Sequence, residues 1–265
     1  MKLSKRVEQV EKEMTELLKE SGAKSFVIGI SGGIDSAVSA AMCHSVSPKS
    51  TGLWIPIESS DSDHKDAVMI TKNVGMQLKD IEVNKAFLNY KENVPTSLAM
   101  PSNIVTGNLK ARLRAVALRT YANSYNFLIA GTGNLTEETL GYFTKGGDSE
   151  VDFQPLYYFT KSEVKQIAKL KGIPDSVIKK APSAGLWEGQ TDEDELGLTY
   201  DVMDCFSLAV HEMGGISISE AVYEHTMYIA KKLGLEITKE QYKKMEKMYL
   251  TSEHKRTMKL LGKRN

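Results

Sequence analysis

The sequence predicts an α/β protein, a doubly wound parallel sheet that carries a C-terminal helical elaboration. Three observations lead there. Short apolar runs alternate with helical segments through the first part of the chain, the signature of a parallel sheet covered on both faces. A glycine-rich stretch, Gly29-Ile30-Ser31-Gly32-Gly33-Ile34-Asp35-Ser36, joins the apolar run Phe26-Val27-Ile28 to the small-residue run that starts at Ala37. The later part of the chain carries helix caps and no comparable alternation.

The elements follow in order. Leu3, Val7, Val10, Met14, Leu17 and Leu18 recur at helical spacing and predict an N-terminal helix with one buried stripe. Runs at 26–30, 52–57, 81–83 and 127–130 read as buried strands, with helices between them at 36–44, 62–78 and 104–124. Thr160-Lys161-Ser162-Glu163 and Thr238-Lys239-Glu240-Gln241 are capping boxes. Gly172-Ile173-Pro174 stops the first of these helices, and Gly234 ends the helix before the second. Between them, Ala181 to Gln190 forms a loop rich in Pro, Ser and Gly. No repeat or linker interrupts the pattern, which predicts one domain over 1–265: a sheet core at about 22–160, a helical part at about 161–250 and a basic tail.

Composition narrows the class. Lys+Arg and Asp+Glu both total 34, so the net charge is zero and nothing favours a nucleic-acid or membrane partner. Cys43 and Cys205 lie far apart, in no metal or redox spacing, as expected of a reduced, cytoplasmic chain. No signal-peptide pattern or membrane-spanning run is present.

The loop carries the chemistry. Strand, glycine loop and helix point backbone N–H groups and a helix N-terminus at a phosphate. The usual loop of this type ends in Gly-Lys-Ser/Thr, whereas here an aspartate stands in the lysine's place. An aspartate beside phosphates repels them unless a cation lies between, so Asp35 implies Mg²⁺. The plainer reading is a glycine turn in which Ser36 or Asp35 caps the helix.

The S-G-G-x-D-S pattern resembles the pyrophosphate loop of the ATP pyrophosphatases, Rossmann-like enzymes of the adenine nucleotide alpha-hydrolase type that adenylate a substrate. Further segments narrow the resemblance: Asn108-Leu109-Lys110-Ala111-Arg112-Leu113-Arg114, Gly131-Thr132-Gly133-Asn134-Leu135-Thr136-Glu137, Leu140-Gly141-Tyr142-Phe143-Thr144-Lys145-Gly146-Gly147-Asp148, Ala181-Pro182-Ser183-Ala184-Gly185-Leu186-Trp187 and Gln190-Thr191-Asp192-Glu193-Asp194-Glu195-Leu196-Gly197. With His254-Lys255-Arg256 they resemble the NAD synthetases, over about 29–256. The family pattern leaves no room for the amidohydrolase (glutaminase) domain that some members carry, which points to the ammonia-dependent form.

The resemblance implies a ligase with ATP as co-substrate, deamido-NAD and ammonia as the other substrates, and a homodimer. It places the ATP phosphates on Gly29, Ile30, Ser31, Gly32, Gly33, Ile34, Asp35 and Ser36, with Thr132, Lys161 and Ser183 as further ATP contacts. It gives Asp35 and Glu137 to Mg²⁺, and Arg112, Lys145, Asp152, His254 and Lys255 to deamido-NAD. The catalytic set it implies is Asp35, Glu137, Asp152 and Lys161. Plain readings stand beside these: helix capping for Glu137, a turn hydroxyl for Thr132, a charged helix face for Arg112, a surface turn acid for Asp152. Lys161 in a first helical turn opposes the helix dipole, which favours a functional reason for it.

The chain departs from the family pattern in one proline of the 181–187 loop and in the sequence after Arg256, both expected lid segments. Two other readings compete: a tRNA-modifying ATP pyrophosphatase, which would favour a basic extension or cysteine cluster, and a non-catalytic nucleotide sensor, which need not keep Asp35 and Glu137. The tail at His254 is expected to act as a lid that orders over the dinucleotide, because its cations lack obvious partners in the sequence.

Overall fold

The computed structural model describes residues 2–93, 103–183, 189, 191–215 and 219–257. The segment Ala184 to Trp187, Gln190 and the tail from Met258 onward, all named above, lie outside the described residues.

Helix α1 (Leu3–Ser21) leads into β1 (Ser25–Gly29), α2 (Ile34–Val46), β2 (Thr51–Trp54), α3 (Asp61–Val74), β3 (Gln77–Asp80), α4 (Asn84–Asn93), α5 (Asn103–Tyr125) and β4 (Phe127–Ala130). The strands form a parallel sheet in the order β3-β2-β1-β4. Val27 of β1 lies opposite Thr51 of β2 and Ile129 of β4, which sets the register. Successive side chains on a strand point to opposite faces. Phe26 and Ile28 therefore pack with α1, α2 and α3, while Val27, Leu53 and Ile129 pack with Ala117, Tyr121 and Ala122 of α5. Helices on both faces of a parallel sheet confirm the expected fold class.

Three elements differ from the sequence reading by three residues or more, the first being the strand expected over 52–57, which ends at Trp54. The helix expected over 62–78 stops at Val74, because Gly75 takes a left-handed φ of 85° and its N–H closes the last turn on Thr71 O. The third strand is then residues 77–80 and not 81–83. It lies at the sheet edge and is only partly buried, so its sequence, Gln-Leu-Lys-Asp, carries no apolar run. The apolar Ile81 and Val83 pack on the α5 face just beyond it. Helix α4 has no counterpart in the sequence reading; of its residues Phe87 is buried.

The helical part comprises α6 (Leu135–Leu140), α7 (Lys161–Leu170), α8 (Asp175–Lys179), α9 (Asp192–Leu196), α10 (Tyr200–Glu212), α11 (Glu220–Lys232), α12 (Lys239–Thr251) and α13 (Glu253–Arg256). Both predicted capping boxes form, at Thr160/Glu163 and Thr238/Gln241. Helix α7 buries Val164, Ile167 and Ala168 in the core beneath the sheet. A separate apolar cluster centred on Met203, Phe206 and Met245 joins α10, α11 and α12 to Leu140 of α6.

Candidate active site

The strand order reverses between β1 and β4, so the loops leaving their carboxyl ends splay apart and leave a crevice. One wall is the 29–36 loop and the other is the 131–134 turn that leads into α6.

The first loop is built from small residues because its backbone must turn sharply against a neighbour. Gly32 sits at φ 83°, and a Cβ there would come within 2.9 Å of Asp63 O. Ser36 Oγ donates to Gly33 O at 2.9 Å, and Ser31 N–H approaches Ser36 Oγ at 3.3 Å, closing the loop on itself. Helix α2 begins at Ile34 with Gly33 as its N-cap and no side-chain cap. The N–H groups of its first turn therefore receive no side-chain cap.

The second wall is capped. Asn134 accepts from Thr136 N and Glu137 N at 3.1 Å each, while Glu137 Oε2 accepts from Asn134 N at 3.3 Å. Glu137 is therefore a capping residue, as its plain reading held. Its other oxygen is turned to the crevice, where Lys161 Nζ donates to Glu137 Oε1 at 3.2 Å and to Asp35 Oδ2 at 2.5 Å. Asn134 Nδ2 reaches across to Asp35 Oδ1 at 3.0 Å. Residues from α2, α6 and α7, distant in sequence, meet around one ammonium.

The surroundings set the electrostatics. Lys161 is only 2% exposed. Burial alone would lower its pKa, but Asp35 and Glu137 outweigh burial and hold it above the ordinary lysine value. Burial pushes the Glu137 carboxyl up to about 8, with Asp35 and Asp192 adding to the rise and Lys161 opposing it. Below the crevice, the Tyr200 hydroxyl donates to Asp192 Oδ2 at 2.7 Å and lies 3.5 Å from Glu137 Oε1. The Tyr200 ring centroid is 4.9 Å from Lys161 Nζ. Among the described residues, no group of three or more His, Cys, Asp or Glu side chains is arranged to hold a metal ion. The pair Asp35 and Glu137 nevertheless suits a hard cation whose remaining ligands are phosphate oxygens and water.

The other expected site residues fall into separate places. Thr132 is half-buried in the turn after β4. Lys180, which precedes the 181–183 segment containing Ser183, pairs with Asp63 at 3.0 Å and Asp66 at 2.6 Å, beside Gly32. Arg112, Lys145 and His254 are brought together: Arg112 Nη2 donates to Lys145 O at 3.2 Å, and Lys145 Nζ to His254 O at 2.5 Å. Asp152 stands apart, pairing with Arg119 at 2.7 Å and accepting from Ile129 N at 2.7 Å. Its carboxylate anchors α5 to β4 in this structure.

The tail has partners that the sequence reading did not supply. Lys255 Nζ donates to Gly141 O at 2.7 Å and Phe143 O at 2.8 Å, and Arg256 Nη1 to Thr139 O at 3.0 Å. These cations sit on the carboxyl end of α6, where orphan carbonyls and the helix dipole favour positive charge. Lys255 and Arg256 thus have carbonyl partners within the chain, which the run of positive charge in the sequence does not reveal. Truncation before His254 should therefore lower thermal stability by several degrees as well as raise the KM for the dinucleotide. A melting shift with unchanged dinucleotide kinetics would leave the tail a purely structural strap.

The sequence reading missed Tyr200 and Asp204. Asp204 is 4% exposed and accepts from Thr136 Oγ1 at 2.5 Å and Ser162 N at 2.9 Å, with Lys161 N at 3.3 Å. It thus fixes the start of α7 to the start of α6. No local signal marks either residue, because their partners are distant in sequence.

The family profile described as NAD synthase matches residues 6–259. The chain belongs to the NAD synthase family. It is 42% identical over 207 residues to the NH(3)-dependent NAD(+) synthetase of Mesoplasma florum, which spans 78% of this chain and 85% of that one. To the enzyme of the same name from Pyrococcus furiosus it is 36% identical over 261 residues, 95% and 93% of the two chains. Among solved structures, the NMN synthetase from Francisella tularensis superposes with a TM-score of 0.82 at 29% identity, over 99% of each chain. The NH3-dependent NAD synthetase from Campylobacter jejuni superposes with a TM-score of 0.78 at 23% identity, over 99% and 100%, and shows the shared fold. As a NAD synthase the chain is an ATP-dependent ligase, which sets aside both competing readings.

Proposed function

We propose that this NAD synthase adenylates the nicotinate carboxylate of deamido-NAD with ATP and amidates it with ammonia, releasing NAD, AMP and pyrophosphate. The observation that carries the reading is the meeting of Asp35, Glu137 and Lys161 beside an uncapped helix N-terminus, at the switch point of the sheet. A carboxylate oxygen is too poor a leaving group for direct attack by ammonia. Its oxygen first attacks the α-phosphorus as the bond to pyrophosphate breaks; ammonia then attacks the acyl carbon, AMP leaves and the nitrogen loses a proton.

The chain's part in this is positioning and charge compensation. The 29–36 loop, with Ser31 and Ser36, would cradle the ATP phosphates, and the N–H groups of α2 would face the charge that develops on pyrophosphate. Lys161 would turn its ammonium to the phosphates, with Thr132 and Ser183 as further ATP contacts. Asp35 and Glu137 would hold Mg²⁺, which when bound neutralises phosphate charge and polarises the attacked centre. Arg112, Lys145, His254 and Lys255 would line the dinucleotide side. Asp152 would join that set, or assist deprotonation of the nitrogen, only by exchanging its bond to Arg119.

Helix α10 packs against both α6 and α7, in keeping with one domain over 1–265. Exposed Val105 and Val116, about three turns apart and so on one side of α5, offer apolar surface for a second copy, in keeping with a homodimer. No helix among the described residues is long and apolar enough to cross a membrane. Net zero charge argues against a nucleic-acid partner, and a cytoplasmic location suits substrates of this class.

The test supplies purified protein with ATP, Mg²⁺, deamido-NAD and ammonium. NAD, AMP and pyrophosphate should appear in equal amounts, and ammonia-free glutamine should not replace ammonium. Efficient synthesis from glutamine would refute free ammonia as the donor. One observation favours a second reading: the superposed structure at 29% identity is named an NMN synthetase. Nicotinic acid mononucleotide should therefore compete in the same assay, and a higher kcat/KM for it would make the mononucleotide the substrate.

A further inference from the structure

We propose that Lys161 holds the place of the divalent cation in the free enzyme, keeping Asp35 and Glu137 in position until nucleotide phosphates draw its ammonium away. The inference rests on the ligase reading given above and assigns Lys161 a role before ATP binds. Nζ is 2.5 Å from Asp35 Oδ2 and 3.2 Å from Glu137 Oε1, so it occupies the gap between the carboxylates that a shared cation would need. Asp35 and Glu137 face the same small volume; once both are ionised, as the ligands of a cation must be, they repel each other, and Lys161 is the positive charge between them. Asn134 Nδ2 donates to the other oxygen of Asp35, and Asn134 N to the other oxygen of Glu137, so the two inward oxygens are the ones left for a cation.

The ammonium is held from below as well as from the sides. The Tyr200 ring lies beneath it at 4.9 Å, and the hydroxyl of that ring is fixed by Asp192. Lys161 is the first residue of α7, with a flexible four-carbon stem. The ammonium can therefore swing toward an incoming phosphate while its backbone stays fixed by Asp204. A divalent cation arriving alone meets a like charge already seated. One arriving with ATP brings the phosphates that relocate the lysine. The metal site is thereby closed to free cation and opened by nucleotide.

The test measures Mn²⁺ binding to the whole protein without nucleotide, by the loss of the free-ion paramagnetic resonance signal. Lys161→Met should bind Mn²⁺ at least about tenfold more tightly than the wild type, and the further change Asp35→Asn should abolish the gain. Lys161→Arg keeps the charge and should behave as the wild type does. A neutral variant that binds Mn²⁺ no better than the wild type, or an arginine variant that gains as much, would overturn the proposal. Should the neutral variant not fold, the wild type alone decides: amide signals at the starts of α2 and α6 should not broaden selectively in Mn²⁺ until nucleotide is added, and selective broadening by Mn²⁺ alone overturns it. NAD formation by the wild type is scored separately, so a failed ligase reading is distinguishable from a failed role for Lys161.

Discussion

Asp35→Asn is expected to lower adenylate formation by about 10³-fold or more while the protein still folds. The two oxygens of Asp35 accept from different donors, Asn134 Nδ2 at 3.0 Å and Lys161 Nζ at 2.5 Å. An asparagine has one acceptor and one donor at its tip, so either way round it turns an N–H toward another donor. The substitution thus removes a charge and a hydrogen bond together, at the point where the proposed reaction would bring the cation and the phosphates together. Stability should fall less than activity, because Lys161 retains Glu137 at 3.2 Å and is not left as an isolated buried charge. Pyrophosphate release at saturating Mg²⁺, with circular dichroism to check the fold, measures both. Turnover within tenfold of the wild type would remove Asp35 from the metal and phosphate site.

Asp204→Ala should give the largest loss of stability among single changes around the site, about 3 kcal/mol, and a matching loss of activity. The carboxylate takes donors from Thr136 Oγ1 at 2.5 Å, Ser162 N at 2.9 Å and Lys161 N at 3.3 Å. Alanine leaves these groups without that acceptor in a buried setting, where an unmet donor costs about 1–3 kcal/mol. Part of the loss is offset because Thr160 and Glu163 still cap α7. The burial that raises the Asp204 pKa, opposed by its bonds to Ser162 and Thr136, also makes the charged carboxylate dependent on those donors. The urea unfolding midpoint, measured beside the KM for ATP, tests the bridge between α6 and α7. An unchanged midpoint would show that the helices are held by other contacts.

The two residues also show where reading the sequence stops. Asp35 is legible because glycine loops carry their meaning locally: a handful of adjacent residues fix the turn, the helix start and the side chain beside it. The same holds for the capping boxes at Thr160 and Thr238, both of which form, since a cap needs only its own first turn. The alternation of buried runs was enough to determine the fold class, because a parallel sheet covered on both faces writes continuous apolar strands into the chain. An edge strand writes no such run, and β3 was accordingly displaced by a few residues.

Asp204 and Tyr200 could not be found that way. Each acts on Lys161 or Glu137 across a long stretch of chain, and nothing in their own neighbourhood encodes the partner. The same limit applies to Lys255 and Arg256, whose run of positive charge looks unpaired until the fold lays it on the carboxyl end of α6. The sheet, the glycine loop and the family resemblance are legible in the chain alone, because they depend on backbone conformation and side-chain period over short spans. Which charges meet is settled by packing. The energy of a buried ion pair or an orphaned carbonyl depends on distance and burial, and those exist only once α2, α6, α7 and α10 have packed together.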